Sequence, residues 1–337
     1  MRTETEEQQM ITNEYGIHTF SLKFQCKYSE IQNIIEQNEC IRTNKGNLGL
    51  SSYYQMPQFK DVGVEIQLGQ SVSHPCWLIL IINPSSLLAD TYEPTALFQA
   101  DKESVQQVKH HLRNILDKIG VDWRLREFKL SRCDLTCNLY YERKADVQDR
   151  LDIFKKSFPI PHYSAVKFGK HPNSDERFKG ANKHSWTITN KSKSCTFSAY
   201  DKTYELEKRH HIVINEHILR LELRFGRSKI IKITKVKDWE SQLIEFGSQV
   251  EKQQQKFLHR LHMMHFDPIP LPELLDRINS SKYREKTKKK LRRIVKKANG
   301  CVSLAAVQKD CRIRKSEFIK LLGKFEEMGI GCVSFKQ

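Results

Sequence analysis

The sequence lacks any hydrophobic segment long enough to cross a membrane. Its longest apolar run, residues 76–82, is far shorter than the roughly 20 residues that a membrane-spanning helix needs. Residues 1–7 are rich in acids and contain no apolar core, so we expect no signal peptide. No basic amphipathic helix of the membrane-surface type is evident either. These absences predict a cytoplasmic protein without a membrane partner.

The sequence also lacks a paired cysteine motif. Its nine cysteines are scattered with no CxxC pair, and an odd number fits reduced thiols better than a disulfide framework. Cys133 and Cys137 lie on one apolar face of a predicted strand, which favours packing over zinc binding. His259, His262 and His265 are spaced by three on a predicted helix and drift around it. That spacing favours a solvated or DNA-facing edge over a metal site.

Negative charge is scarce relative to positive charge. The chain has 57 Lys and Arg against 40 Asp and Glu, which gives a formal net charge of +17. An excess of this size favours a polyanionic partner, of which nucleic acid is the commonest. The length of 337 residues allows two or three domains with a sizeable core.

Strand and helix patterns recur in the same order in two parts of the chain. The first part has predicted strands at 18–26, 48–54, 62–68 and 77–82, and helices at 28–36 and 101–119. The second has predicted strands at 128–140, 163–169, 184–190, 194–200 and 218–225, and helices at 145–158 and 202–209. A further helical segment follows at 239–265. This order predicts an α+β fold of two pseudo-repeated antiparallel-sheet units with helices on one face, at 1–124 and 125–265. No residue-level repeat accompanies it.

Prolines at alternate positions, 268, 270 and 272, predict a stiff spacer that ends the helical pattern. Beyond it, residues 282–297 hold ten Lys or Arg against Glu285 alone. A helix at 303–310, a turn, a helix at 315–328 and a strand at 331–335 complete a predicted helix-turn-helix or winged-helix DNA-binding module at 273–337. Its expected groove and phosphate contacts are Arg312, Arg314, Lys315, Ser316 and Lys320.

Three of the predicted strands alternate between an apolar and a polar face. If they share a sheet, their polar faces form one platform. It would carry Asp134, Tyr200 and Glu222, with the cations Arg132, Arg220 and Arg224. An ordinary solvated sheet face is the alternative. The positive charge and the pairing of acids with arginines instead favour a site in which carboxylates hold Mg²⁺ or Mn²⁺ and arginines hold phosphate. A tyrosine there can act as a covalent nucleophile.

These motifs resemble those of the replication initiation factor family. The matching segments are Ser131-Arg-Cys-Asp-Leu-Thr-Cys-Asn138, Phe197-Ser-Ala-Tyr-Asp-Lys202 followed by Glu205, and Leu219-Arg-Leu-Glu-Leu-Arg224. The family includes rolling-circle plasmid initiators of the Rep_trans type, and filamentous-phage replication nickases share similar motifs. The resemblance covers roughly residues 125–226, with an extension to the N-terminal half. The His-hydrophobe-His metal ligands of the more common nicking class are missing from this chain.

The resemblance implies a site-specific single-strand nick at a replication origin, with later strand rejoining. Tyr200 would be the nucleophile, forming a 5′-phosphotyrosyl ester and freeing a 3′-hydroxyl. Asp134 and Glu222 would be ligands of a divalent metal, and Glu205 a third ligand or a base. Lys202, Arg220 and Arg224 would hold phosphate, and Arg132 would also contact DNA. The implied partners are origin DNA (single-stranded at the nick, duplex at the C-terminal module), a host helicase and polymerase, and a second copy in a homodimer. The implied setting is a bacterial cytoplasm, with the gene on a plasmid or other mobile element.

Several alternatives stay open. Tyr204 is a rival nucleophile one helical turn beyond Tyr200, although packing within the helix is favoured for it, and Tyr140 and Tyr141 are weaker rivals. Two other functions are alternatives to nicking. The chain could be a non-catalytic DNA-binding regulator, or a metal nuclease that activates water and forms no covalent link. The basic loop at 167–183 is either a phosphate-backbone contact or an ordinary surface loop.

Overall fold

A computed structural model describes residues 13–43, 51–89, 93–166 and 181–335 of the chain. These residues form a ten-stranded antiparallel sheet with helices packed against it, so the predicted α+β class is confirmed. The strands are β1 Asn13–Cys26, β2 Ile41–Thr43, β3 Ser51–Met56, β4 Val64–Ser71, β5 Cys76–Ile82, β6 Lys129–Tyr141, β7 Tyr163–Ala165, β8 Ser185–Asn190, β9 Cys195–Asp201 and β10 His217–Gly226.

The strand order across the sheet is β2-β3-β4-β5-β1-β6-β10-β9-β8-β7. The strands that begin the two predicted units, β1 and β6, are neighbours at the centre. On each side the last strand of the unit comes next, and the second strand lies at the outer edge. The two sides of the sheet therefore follow the same order outward from the β1–β6 pair.

Helices lie between and after these strands. They are α1 Tyr28–Gln37, α2 Pro84–Leu88, α3 Lys102–Lys118, α4 Lys144–Lys155, α5 Ala181–His184, α6 Lys202–Glu205, α7 Arg227–Ile233, α8 Trp239–Gly247 and α9 Val250–Leu261. Several of these helices begin after a residue whose side chain caps the helix N-terminus. The Asp101 carboxylate accepts from the backbone N–H of Ser104 at 2.8 Å at the start of α3. The segment 239–265, predicted as mainly helical, is indeed mainly helical, and residues 248–249 divide it into α8 and α9.

The main core lies between the helices and one face of the sheet. In β5, Cys76, Leu78, Leu80 and Ile82 are buried, whereas the alternate residues Trp77, Ile79 and Ile81 are partly exposed. Strand pairing places these three on the same face as Asp134, Glu222 and Tyr200. We call this side of the sheet the open face, and the opposite side the core face.

The C-terminal part contains α10 Leu271–Ser280, α11 Glu285–Ala298, α12 Leu304–Asp310 and α13 Lys315–Glu327, with β11 Ile269–Pro270 paired in parallel with β12 Ser334–Phe335. These helices pack on the preceding unit: the rings of Phe158 and Phe318 lie 5.4 Å apart, and Leu304 N–H donates to the Lys156 carbonyl at 2.8 Å. The sequence prediction missed α10. Pro272 lies in its first turn, where a missing N–H costs no helical hydrogen bond.

Some predicted features lie outside the described residues. They are the start of the strand at 48–54, the end of the strand at 163–169, and the basic loop at 167–183 as far as residue 180. Within the described ranges, no helix combines the length and the apolar character needed to cross a bilayer.

Two helical glycines give a matched test of this packing. A Cβ added at Gly247 in α8 would lie 2.8 Å from the Ala100 carbonyl oxygen, whereas a Cβ at Gly323 in α13 would meet no atom within 4 Å. We expect Gly247→Ala to lower the free energy of unfolding by about 1–3 kcal/mol through overpacking. Gly323→Ala should raise it by about 0.5–1 kcal/mol through helix propensity. Urea unfolding measures both, and shifts of the same sign would contradict the packing described.

Candidate active site

Strand pairing brings the three sequence motifs together on the open face. Arg220 of β10 pairs with Tyr200 of β9, and Arg224 of β10 pairs with Asp134 of β6. Glu222 lies between the two arginines on β10, and its side chain shares their face. The condition set by the sequence, that β6, β9 and β10 belong to one sheet, is met.

Asp134 is fully buried, and its carboxylate is saturated with donors. Arg224 binds it with two hydrogen bonds, Nε to Oδ1 at 2.9 Å and Nη2 to Oδ2 at 3.0 Å. Arg132 Nη2 lies 3.1 Å from Oδ2, and Thr19 Oγ1 donates to the same oxygen at 2.6 Å. Because a two-point arginine–carboxylate pair fixes geometry as well as charge, Asp134 holds both arginines in place.

Glu222 shares Arg224 with Asp134. Arg224 Nη2 donates to Glu222 Oε1 at 3.1 Å, and His18 Nδ1 lies 3.4 Å from Oε2. Burial acts to raise the pKa of Glu222, but the hydrogen bond from His18 and the charges of Arg224 and Arg220 outweigh it. The pKa therefore lies well below its ordinary value of 4.5, and Glu222 is ionised at neutral pH.

Arg220 is a fully buried cation at the centre of this face. Its Nε donates to Asn138 Oδ1 at 2.7 Å, and its Nη2 donates to the Thr95 carbonyl at 2.8 Å. Within the described ranges, Nη1 has no hydrogen-bond partner. A buried guanidinium nitrogen without an acceptor is costly, and an incoming anionic oxygen would satisfy it.

Tyr200 is half-buried near the end of β9. Burial raises the pKa of its hydroxyl well above the ordinary value of 10.0. The negative charges of Glu222 and Glu205 raise it further, and Arg220 opposes them. The hydroxyl is therefore protonated at neutral pH. Any reaction in which Tyr200 attacks an electrophile needs a nearby proton acceptor.

The residues after Tyr200 place an ion pair beside it. The carboxylate of Asp201 accepts from Tyr204 N–H at 2.9 Å and so starts α6. One turn of helix then brings Lys202 Nζ within 2.8 Å of Glu205 Oε2. Burial lowers the pKa of Lys202. Burial acts to raise the pKa of Glu205, but the charge of Lys202 outweighs it and the pKa is lowered.

The rival tyrosines have other contacts. The Tyr204 ring stacks on His184 with centroids 3.5 Å apart, which is the packing expected of a structural helix residue. The Tyr140 hydroxyl donates to Glu14 Oε2 at 2.8 Å, and burial raises its pKa to about 12. The guanidinium of Arg150 lies over the ring of Tyr141, 4.6 Å from its centroid. Of these four tyrosines, Tyr200 alone pairs with Arg220 of the platform.

The carboxylate oxygens on the platform suit a hard divalent metal ion, but each carboxylate already contacts an arginine or lysine side chain. Asp134 and Glu222 supply carboxylates of the kind that Mg²⁺ and Mn²⁺ prefer. Both contact Arg224, whose side chain is 43% exposed and has room to move, while Glu205 contacts Lys202. No group of three or more His, Cys, Asp or Glu within the described ranges is arranged to hold a metal. The donor chemistry fits the implied metal, and its binding would require Arg224 to leave.

The other candidate metal ligands have structural surroundings. Cys133 and Cys137 are buried on the core face, and burial raises the pKa of both thiols. His259 and His262 lie 3.0 and 3.6 Å from the Glu326 carboxylate, so they contact α13.

Sequence reasoning missed His18 and Thr19, which β1 contributes from the N-terminal unit. Both are polar residues in a strand that otherwise alternates, and this is the only local signal. Their partners lie 204 and 115 residues away along the chain. The strand pairing had to be known before these contacts became visible.

No protein-family model matches the chain, and no curated protein is significantly similar to it. The likeness to replication initiators therefore rests on the motifs in β6, β9 and β10, and it stays a prediction.

The low pKa of Glu222 predicts a pH effect on stability. A carboxylate whose pKa is lower in the folded than in the unfolded state stabilises the fold above its unfolded pKa. That stability is lost as the pH falls through the folded pKa. Below the ordinary value of 4.5, we expect the free energy of unfolding to fall more steeply for the wild type than for Glu222→Gln. Urea unfolding across a pH series measures this. The exposed Glu39→Gln should keep the wild-type slope, and equal slopes for wild type and Glu222→Gln would refute the assignment.

Proposed function

We propose that the chain is a replication initiator that nicks one DNA strand and rejoins it, with Tyr200 as the nucleophile. The observation that carries the proposal is the position of Tyr200 beside the buried Arg220 and the ionised Glu222, on the polar face of a chain with a net charge of +17. A phosphodiester is the substrate that such a basic, arginine-lined site would attract.

The proposed step is a transesterification. The Tyr200 oxygen attacks phosphorus, a bond from Oη to phosphorus forms, and the bond from phosphorus to the 3′-oxygen breaks. Glu205 accepts the phenolic proton, and Lys202 gives a proton to the departing 3′-oxygen. The proton on Glu205 then passes to Lys202 across their 2.8 Å contact, which restores the ion pair. The lowered pKa of Lys202 suits a proton donor to an alkoxide.

Arginines would hold the phosphate during this step. Arg220 offers its unpaired Nη1, Arg132 is oriented by Asp134, and Arg224 would turn from the two carboxylates toward the phosphate. A divalent ion would be held by Asp134 and Glu222 after Arg224 turns away from them, and it would polarise the phosphoryl oxygen and offset its charge.

We also propose the finer architecture predicted from the sequence. The matching strand order on the two sides of the sheet supports two pseudo-repeated units at 1–124 and 125–265. Helices α11, α12 and α13 and the short strand β12 support a helix-turn-helix or winged-helix module at 273–337. The five side chains expected to contact DNA in that module are all exposed: Arg312, Arg314, Lys315, Ser316 and Lys320. A cytoplasmic setting, a homodimer and a host helicase and polymerase belong to the same proposal.

A covalent adduct tests the nucleophile. The protein is incubated with end-labelled single-stranded origin DNA and Mn²⁺, and the products are separated on a denaturing gel. We expect wild type and Tyr204→Phe to form a protein–DNA adduct and Tyr200→Phe to form none, because only Tyr200 pairs with Arg220. An undiminished adduct in Tyr200→Phe would exclude Tyr200. Cleavage without an adduct would favour a water-activating nuclease, and duplex binding without cleavage would favour a regulator.

A charge-matched pair of double variants tests the C-terminal module. We expect Arg314→Gln with Lys320→Gln to weaken origin duplex binding and to flatten the slope of log affinity against log salt by up to about 1.8. Adduct formation on a single-stranded oligonucleotide should persist. Arg113→Gln with Lys118→Gln, two exposed positions on α3, removes the same charge elsewhere and should leave duplex binding unchanged. Point variants are preferred to deletion because Phe318 packs on Phe158. Equal losses in both double variants would mean that general charge, not this module, drives binding.

A further inference from the structure

The open face continues beyond the platform into the N-terminal unit. On β5 the residues facing this side, Trp77, Ile79 and Ile81, are only partly buried. Helix α1 contacts these strands from the core face, where its Gln32 side chain accepts from Gln70. The N-terminal part of the open face therefore presents apolar and aromatic side chains that α1 does not cover.

Two aromatic residues form a row across this surface. Trp77 pairs with Gly69 of β4, and Gly69 pairs with Tyr53 of β3. Because Gly69 has no side chain, the Tyr53 ring lies against it, and a Cβ built on Gly69 would be 3.6 Å from Tyr53 Cε1. The contact with Gly69 covers only part of the Tyr53 ring, and Tyr53 remains 44% exposed. The row thus offers two ring surfaces at one end of the sheet.

Cations border this aromatic row. Lys23 of β1 holds its Nζ 3.6 Å from the centroid of the Trp77 ring, and Lys129 of β6 pairs directly with Lys23. The acid on the neighbouring strand, Glu65, accepts hydrogen bonds from Gln55 and Gln67. Positive charge therefore lies beside the rings, while the nearby negative charge is engaged by amides.

The same face links this surface to the proposed nicking site. Arg132, which contacts Asp134, pairs with Ser21 of β1, and Ser21 pairs with Ile81. Strand spacing and rise per residue put Tyr200 and Trp77 on the order of 40 Å apart along a diagonal of the sheet. Arg224, Arg132, Lys129 and Lys23 lie between them, so a phosphate backbone would meet cations along the way.

We propose that the open face of the N-terminal unit binds single-stranded DNA, with Trp77 and Tyr53 stacking on bases and Lys23 and Lys129 contacting phosphates. The inference rests on the proposed function in taking the platform as the nicking site from which the strand extends. Partly exposed rings on a sheet, flanked by lysines, suit single-stranded nucleic acid because every base has a face to stack on. The net charge of +17 and the arginines of the adjoining platform favour this occupant over a second protein surface.

The test measures binding of a fluorescein-labelled dT20 oligonucleotide by anisotropy, which requires no nick. We expect Trp77→Leu and Tyr53→Leu each to weaken binding by about tenfold, in keeping with the loss of one stacked base. Lys23→Gln should lower the salt slope by roughly 0.7. Tyr28→Leu is the matched control, because Tyr28 is 47% exposed but belongs to α1, and it should bind as wild type does. Thermal unfolding verifies that each variant is folded, and Lys23→Gln gives an independent reading if Trp77→Leu is not.

Other outcomes separate this inference from the proposed function. Unchanged dT20 affinity in Trp77→Leu and Tyr53→Leu, or an equal loss in Tyr28→Leu, would overturn the inference. So would a change of Trp77→Leu from dimer to monomer with unaltered affinity, since the surface would then be a protein interface. Weakened dT20 binding in these variants, together with no Tyr200 adduct in the wild type, would sustain the inference and refute the nicking function.

Discussion

The contact between the Asp134 carboxylate and Arg224 is the constraint on which the rest of the platform depends. Asp134 is fully buried, so its charge is tolerable only because Arg224, Arg132 and Thr19 all donate to it or lie against it. Removing one partner of such a buried pair typically costs about 3–5 kcal/mol. These donors come from β10, β6 and β1, so one carboxylate joins both units of the sheet and sets where Arg224 meets Glu222.

At rest each carboxylate of the platform contacts a cation. Asp134 and Glu222 face Arg224, and Glu205 faces Lys202, while Arg220 remains buried with one nitrogen unpaired. Under the proposed function, a phosphodiester would add one negative charge to this arrangement. Arg224 has the exposure to turn toward it, whereas Arg220 is already fixed by Asn138 and Thr95. The two arginines would thus differ, one preorganised and the other adjustable.

Local pattern was enough to predict most of the strands and the faces of their side chains, but the grouping of Asp134, Tyr200 and Glu222 followed only on the condition that their strands share a sheet. Period-two alternation decides which face a residue takes, and burial of the apolar face enforces it. Alternation does not encode which strands are neighbours, so the contact of His18 with Glu222, 204 residues apart, was out of reach. Helix α10 was missed for another reason: Pro272 acts as a breaker inside a helix but is tolerated in its first turn.

The central pairing of β1 with β6 has a consequence for biosynthesis. The Thr19 hydroxyl donates to the Asp134 carboxylate, which is synthesised 115 residues later. At translation rates of about 5–20 residues per second, the β6-facing edge of β1 emerges unpaired for on the order of ten seconds. An open edge of that length invites pairing with another nascent chain. The β6-facing edge of β1 is therefore the part of the sheet at which misassembly during synthesis would begin.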